Sequence, residues 1–383
     1  MKTLIKILTI LILNLVFSIQ SSLSNEKFRI GLIVPLSGEY SEIGNSIVRS
    51  VRLAINKIDD NKILILPKDT RSNPIDALKV SKELYDQGVN IIIGTVFNES
   101  TKYLDDLKEV TFISLTNKIR TTPSNVISAG VNAISQINTI KKFIDLKKLE
   151  RTIFLIPNSD YKNELEFAIE KTKFKLKEKF IYDQDPTILT SQIEKLTRYP
   201  QRKRNLEDEI KRLEESNIAN KEKRIAKLKK RDTLGFINFD SVVIADFDES
   251  LKSVATSLLY TDVSSERIHY LTLNQWFDKS LLNENSLQPI FFPSINKNNY
   301  EKFIEEYNQA YQLSPNQLSF LSYDLIGLVY FLLYDNEFNS TKNIFYKKNK
   351  FKGKIGIFEI EKNIITHQLN FYSVENNQFK KIF

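Results

Sequence analysis

Short apolar runs alternate with amphipathic stretches along the chain. Phe28–Val34 is apolar and ends in Pro35-Leu36-Ser37-Gly38, which predicts a buried strand and a turn. Ile47, Val51, Ala54, Ile55 and Ile58 then recur at helical spacing. Ile63–Pro67 is the next strand. Asn73-Pro74 starts a second helix, with Ala77, Val80, Leu84 and Tyr85 on one face, and Gly88 stops it. Val89–Ile93 is a third strand, closed by Gly94. A third helix is expected from about Ser100 to Lys108, and Val110–Leu115 is a fourth strand. Strands apolar throughout suit a parallel sheet covered on both faces, and right-handed crossovers then give a doubly wound α/β lobe.

The pattern restarts further on. Thr152–Pro157 reads as a strand, Asn163–Glu178 as a helix, Phe180–Tyr182 as a strand and Ser191–Tyr199 as a helix. Ser241–Asp246 and Ile268–Leu273 are further strands of a second α/β lobe. Phe303, Tyr307 and Tyr311, then Phe320 to Leu333, predict two more helices. Lys354–Ile360 and Gln368–Val374 are expected to form an antiparallel pair. Between the lobe-two segments lies 201–232, rich in charge. Its apolar residues Leu206, Ile210 and Leu213 fall at i, i+4 and i+7, a narrow helical stripe. An antiparallel helical hairpin is expected there, either a solvated spacer or a docking element.

The N-terminus changes the length of chain that folds. Lys2 and Lys6 precede an apolar run from Ile7 to Ile19, and Ser22-Leu23-Ser24 offers the small residues a signal peptidase reads. The run is shorter than the ~20 residues of a spanning helix. Residues 1–24 are therefore expected to be a signal peptide that exports 25–383, with a signal anchor as the alternative. The 383-residue chain then has the length of two domains.

Composition removes several chemistries. With no Cys there is no disulfide, thiolate nucleophile or cysteine metal site. The two histidines, His269 and His367, each stand without a catalytic or metal-binding neighbour in sequence. No nucleotide-phosphate, zinc-protease or serine-hydrolase motif occurs. Neither an enzyme nor a cofactor is expected. The formal charge of +8 falls to +6 without Lys2 and Lys6, and 202–232 holds 12 Lys/Arg against 7 Asp/Glu. The positive charge thus belongs to one segment, which argues against a nucleic-acid partner.

A ligand of a doubly wound sheet sits at the carboxyl ends of the strands. Those ends bring forward Ser37, Gly38, Thr95, Thr116, Asn117 and Asp246, with Ser100 at the next helix start and Tyr161 beyond Pro157-Asn158. Backbone N–H groups and hydroxyls suit a carboxylate. Asp246 is the best-placed acceptor for an ammonium, and Tyr161 can close over a ligand. Each has a plainer reading. Ser37 and Gly38 can simply turn the chain. Thr95 and Thr116 can cap helices, and so can Asp246, before the helix near Glu249. Tyr161 can be a packed aromatic, and Trp276 either lines the cleft or anchors its loop.

The run Leu32-Ile33-Val34-Pro35-Leu36-Ser37-Gly38, then Gly44, Ala54, Asp69-Thr70, Pro74, Ala77, Leu84 and Val89–Gly94, resembles the opening of the type I periplasmic-binding-protein fold of the leucine-binding-protein superfamily. Ile156–Tyr161, Tyr323-Asp324 and Phe351–Gly356 extend the resemblance. Ser114-Leu115-Thr116-Asn117, and Thr233-Leu234-Gly235 leading into Phe239-Asp240-Ser241, are most similar to the penicillin-binding protein activators of that group. Ile43 departs from the aromatic residue that amino-acid binders usually carry before the glycine standing here as Gly44.

The resemblance implies two Rossmann-like lobes joined by three hinge crossovers, near Ser135–Thr139, Pro289–Ser294 and Asn336–Ser340. Lobe one would hold 25–139 and 292–338, and lobe two 140–291 and 339–383, including the insert. It also implies a non-enzymatic solute-binding protein that presents an amino acid or amide to the membrane subunits of an ABC importer. The alternative is an envelope regulator that binds a cell-wall synthase without transport.

Overall fold

The computed structural model describes residues 27–120, 122–338, 344–354 and 356–383. The expected signal peptide lies outside them. The first sheet has the order β2-β1-β3-β4-β5, all parallel. Its strands are β1 Phe28–Val34, β2 Ile63–Asp69, β3 Ile91–Ile93, β4 Thr111–Ser114 and β5 Val126–Ser128. Alternation along β1 divides its side chains between two cores. Ile30, Leu32 and Val34 pack with Ile47, Val51 and Ala54 of α1 (Ser41–Ile58), whereas Ile33 packs with Leu84 of α2 (Pro74–Asp86), Ile92 and Phe112. Each such fully buried side chain contributes roughly 1.5–3 kcal/mol. Asn73 caps α2 by accepting from the Ile75 N–H at 2.8 Å, and Pro74 begins the helix.

The second sheet has the order β15-β14-β10-β9-β8-β6-β7. β6 (Thr152–Pro157), β7 (Glu178–Tyr182), β8 (Ser241–Ile244), β9 (His269–Thr272) and β10 (Ile290–Ser294) are parallel. β14 (Asn370–Glu375) and β15 (Gln378–Lys381) add antiparallel edges. Helices α3 (Ala133–Lys147), α4 (Lys162–Thr172), α5 (Pro186–Thr197) and α8 (Asp248–Tyr260) cover this sheet. The charged segment forms α6 (Tyr199–Glu214) and α7 (Lys221–Leu228), which pack together as a hairpin. Arg202 roots it. Its buried guanidinium donates to Thr261 O at 3.0 Å and Thr233 Oγ1 at 2.7 Å, and lies 3.4 Å from Asp262 Oδ2.

The chain then returns to lobe one as α9 (Lys297–Tyr311) and α10 (Gln317–Asp335). α10 is long and apolar enough to cross a membrane, yet most of it is buried. It lies against α1, where Ser46 Oγ is 2.7 Å from Ser319 Oγ and Ser50 Oγ donates to Ser319 O at 2.5 Å. These small hydroxyl side chains let the helices approach while satisfying their buried polar atoms.

Several expectations need correction. Residues 100–108 form two short 3₁₀ turns, Asn98–Thr101 and Leu104–Asp106, because Thr101 Oγ1 bonds back to Asn98 O and competes with an α-helical ladder. The segments 354–360 and 368–374 meet only at the Ile357–Gln368 pair. Lys362 and Asn363 both have positive φ (51° and 61°), so the chain turns tightly there. β12 (Ile357–Glu361) therefore pairs with β13 (Ile364–Gln368), beside β11 (Asn349–Lys352), in a separate small sheet.

The crossovers also move. Residues 135–139 are inside α3, so the chain leaves the first sheet at 129–132. Pro289–Ser294 is largely β10, hydrogen-bonded within the second sheet, which puts that crossover at 295–296. After α10 the small sheet intervenes, with Phe351 packed on Phe331 of α10. The chain re-enters the second sheet only at Asn370. β13 is fastened to the first crossover: Asn132 Nδ2 donates to Ile365 O at 2.8 Å, and His367 Nε2 is 2.9 Å from Ala129 O.

Candidate functional site

The carboxyl ends of strands from both sheets face one another across a cleft of about 890 Å³. Lobe one contributes Val96–Glu99 after β3, Leu115–Lys118 after β4, and Gln317, Leu318 and Leu321 of α10. Lobe two contributes Gln136 of α3, Asp160 beyond β6, Phe247 and Asp248 after β8, and Asn274–Asp278 after β9. The space falls where the topology of a doubly wound sheet places a ligand. Gly94, before the Val96–Glu99 loop, lets the end of β3 close against β1. Its φ is +115°, and a Cβ there would lie 2.0 Å from Ile33 O.

The cleft is polar at its floor and aromatic at its sides. Asn274 is almost fully buried. Its N–H donates to Gln136 Oε1 at 2.8 Å, and its Oδ1 accepts from Ser294 Oγ at 2.8 Å and from Trp276 N–H at 3.1 Å. Its Nδ2 has no partner. A buried donor left unpaired costs about 1–3 kcal/mol, so a ligand acceptor there would recover that penalty. Thr116 Oγ1 accepts from Lys118 N–H at 3.2 Å, which leaves its own O–H to donate. Phe97, Phe247 and Trp276 line the sides. Among the described lining residues the carboxylates are Glu99, Asp160, Asp248 and Asp278, against the single ammonium of Lys118.

Three residues of this wall have positive φ. Asp248, Trp276 and Phe277 have φ of 49°, 48° and 60°, a left-handed region that costs side-chain-bearing residues energy. α8 begins at Asp248 without a side-chain cap on Phe247, so its first N–H groups lack that partner.

The structure brings together only part of the expected constellation. Thr116 and Asn117 line the cleft, and Trp276 does too. Ser37 does not; its Oγ donates to Asp69 Oδ2 at 2.6 Å, and Gly38 (φ +80°) is exposed in the same turn. Thr95 is buried and donates to Phe97 O at 3.0 Å, so it shapes the loop behind the cleft. Ser100 is buried within the 3₁₀ turn.

Tyr161 packs into the lobe-two core, where burial first and Glu164 second push its phenol pKa well up; it does not reach the cleft. Asp246 is committed elsewhere. It accepts from Tyr182 Oη at 2.6 Å, from Gln184 Nε2 at 2.9 Å and from Phe247 N–H at 3.0 Å. It makes no side-chain cap on α8 and is not among the residues that line the cleft. Sequence reasoning missed Asn274, Gln275 and Gln136. The first two stand directly after a predicted strand, the same signal that singled out Asp246. Gln136 lies on α3, which the apolar pattern did not resolve.

A family model described as periplasmic binding protein matches residues 27–173. No curated protein sequence matches the chain. Among solved structures, the branched-chain amino acid transporter substrate-binding protein LivJ from Streptococcus pneumoniae, in complex with isoleucine, aligns over 93% of this chain and 98% of its own. Its identity is 15% and its TM-score 0.53. The C-domain of LpoA from Haemophilus influenzae, a regulator of PBP1A, aligns over 93% and 100% at 13% identity and TM-score 0.60. An ABC transporter solute-binding protein from R. palustris, in complex with 4-hydroxybenzoate, aligns over 93% and 96% at 13% identity and TM-score 0.59. The chain has the type I periplasmic-binding-protein fold, with its candidate site in the cleft between the two lobes.

Proposed function

We propose that the protein is an exported, periplasmic solute-binding protein that closes its cleft on a small ligand and presents it to an ABC importer. The observation that carries this reading is the unpaired Asn274 Nδ2, buried on a cleft lined from both lobes. A ligand touching both lobes stabilises the closed form, and hinge closure then signals to a membrane partner. An amino acid or amide suits the chemistry. Its carboxylate or carbonyl would accept from Asn274 Nδ2 and the Thr116 hydroxyl. Its ammonium would find Asp160, Asp248 or Asp278, and not Asp246. Similarity to LivJ with isoleucine supports this class.

The test is a thermal-shift screen of residues 25–383 with amino acids, amides and small carboxylates. At 100-fold saturation the gain is ~2.7 kcal/mol, roughly 4 °C for a protein of this size. A panel that shifts nothing would overturn the transport reading. The second reading, an envelope regulator that binds a cell-wall synthase, draws on the similarity to the LpoA C-domain and on Ile43. It expects capture of a synthase and no ligand shift.

A further inference from the structure

Phe236 is 99% exposed, the most exposed large apolar side chain among the described residues. Its loop is nonetheless tied down on both sides. Leu234 N–H donates to Arg202 O at 2.9 Å, Asn205 Nδ2 to Leu234 O at 3.3 Å, and Thr233 Oγ1 to Asp262 Oδ2 at 2.5 Å. On the far side the Lys177 ammonium donates to Asn238 O. The ring is held out in water by a structured loop.

Basic residues flank it in the chain and in space. Arg231 is exposed five positions before Phe236. The Lys177 ammonium is bonded to Asn238 O, two residues beyond it. The second arm of the hairpin continues the basic surface. Residues 221–231 carry seven Lys/Arg against the single acid Glu222, while the first arm, 202–215, is balanced. Lys221 donates to Glu214 O and Ser216 O, and Lys229 pairs with Glu214 at 3.6 Å. Lys223, Arg224, Lys227, Lys230 and Arg231 are exposed. α7 packs on α6 through half-buried Ile225 and Leu228, and leaves its cations on the outer face.

We propose that the Phe236 loop and α7 together dock the protein on a bilayer containing anionic lipids, with the ring entering the headgroup interface and the cations resting on phosphates. A protein partner rewards a shaped apolar centre ringed by polar groups. Here the exposed groups are one ring and the long, flexible cations of 223–231 that precede it in the chain, which match a fluid anionic layer. Each cation near such a surface adds roughly fivefold to the partition constant. No residue of 221–238 lines the cleft, so docking here leaves the cleft residues uncovered.

The experiment is sedimentation of residues 25–383, whose fold begins at Phe28, with vesicles of phosphatidylcholine alone or mixed 3:1 with phosphatidylglycerol. The expected result is binding to the mixed vesicles only, lost in 0.5 M salt. A Lys227→Glu, Lys230→Glu, Arg231→Glu triple variant should lose more than a hundredfold in partitioning. Phe236→Ser should lose several-fold and melt at the wild-type temperature, since neither change touches a packed side chain. In a Phe236→Trp variant, brominated lipid should quench the new indole, whereas Trp276 of the wild type stays unquenched. Equal sedimentation with both vesicle types, an unaffected triple variant, or capture of an acidic protein without vesicle binding would each overturn the proposal.

Discussion

The Tyr182 phenol donates to Asp246 Oδ2 at 2.6 Å, and this bond decides what Asp246 can do. Burial first and the Asp246 charge second push the Tyr182 pKa well up. Tyr182→Phe removes the donor and leaves Asp246 with Gln184 and one backbone N–H. We expect a loss of about 1–3 kcal/mol in urea unfolding, the cost of weakening a buried charged hydrogen bond. An unchanged midpoint would mean that solvent reaches Asp246.

Tyrosines set the alkaline limit. Tyr323 is pushed up to about 12, chiefly by burial, and Tyr330 to about 12, chiefly by its hydrogen bond to Asp60. Their unfolded forms titrate near ~10. The folded state therefore holds these protons when the unfolded chain has released them. Stability should be flat up to about pH 10 and fall between 10 and 12. Tyr330→Phe should flatten part of that decline, as read from melting temperature against pH.

His367 sets the acid side. It is fully buried at the hinge, and desolvation lowers its pKa to about 4. The unfolded imidazole titrates near ~6.5. Between these values only the unfolded chain takes up the proton, so stability is lost as pH falls from 6.5 to 4, by on the order of 3 kcal/mol. His367→Phe, next to Phe358, should remove that slope while lowering stability at pH 7 through the lost bond to Ala129 O. A slope equal to wild type would place the acid sensitivity elsewhere, for instance at half-buried His269.

Local patterning made the two sheets legible. Phe28–Val34 and Thr152–Pro157 read directly as strands because, Arg29 and Thr152 apart, their positions are apolar, and Ile30–Val34 and all of Thr152–Pro157 are buried. The small sheet was not legible. Its strands alternate weakly, and its turn at Lys362-Asn363 lacks the glycine that usually marks positive φ. The site was half legible. Strand ends pointed to Thr116 and Asn117, but which strand-end carboxylate stays available depends on Tyr182, 64 residues earlier. No local reading reports that contact.

Two glycines that follow β1, Gly38 in the turn and Gly44 in α1, should respond differently. Gly44 faces Pro35, and a Cβ there would lie 1.7 Å from Pro35 O. Gly44→Ala must move backbone and should prevent folding at 37 °C. Gly38 has nothing within 4 Å and only its φ of +80° resists a side chain. Gly38→Ala should cost about 1–2 kcal/mol and leave the protein folded. Expression and circular dichroism of both variants read the difference. If Gly38→Ala also fails to fold, the turn carries more than its dihedral angle.

The cleft assignment is tested most sharply by exchanging carboxylates and amides. Asp246→Asn leaves an amide that can still accept from Tyr182, so it should lower stability modestly and leave ligand affinity within twofold. Asn274→Asp replaces the unpaired Nδ2 donor with a second acceptor on the cleft floor. A carboxylate-bearing ligand then meets like charge, and we expect affinity to fall by tenfold or more, roughly the ~1.4 kcal/mol or more of one charge-assisted hydrogen bond. Trp276, the chain's single tryptophan, lines the same cleft, so its emission reports occupancy in both variants. If Asp246→Asn abolished the emission change while Asn274→Asp preserved it, the ligand would lie over β8 and not over the Asn274 floor.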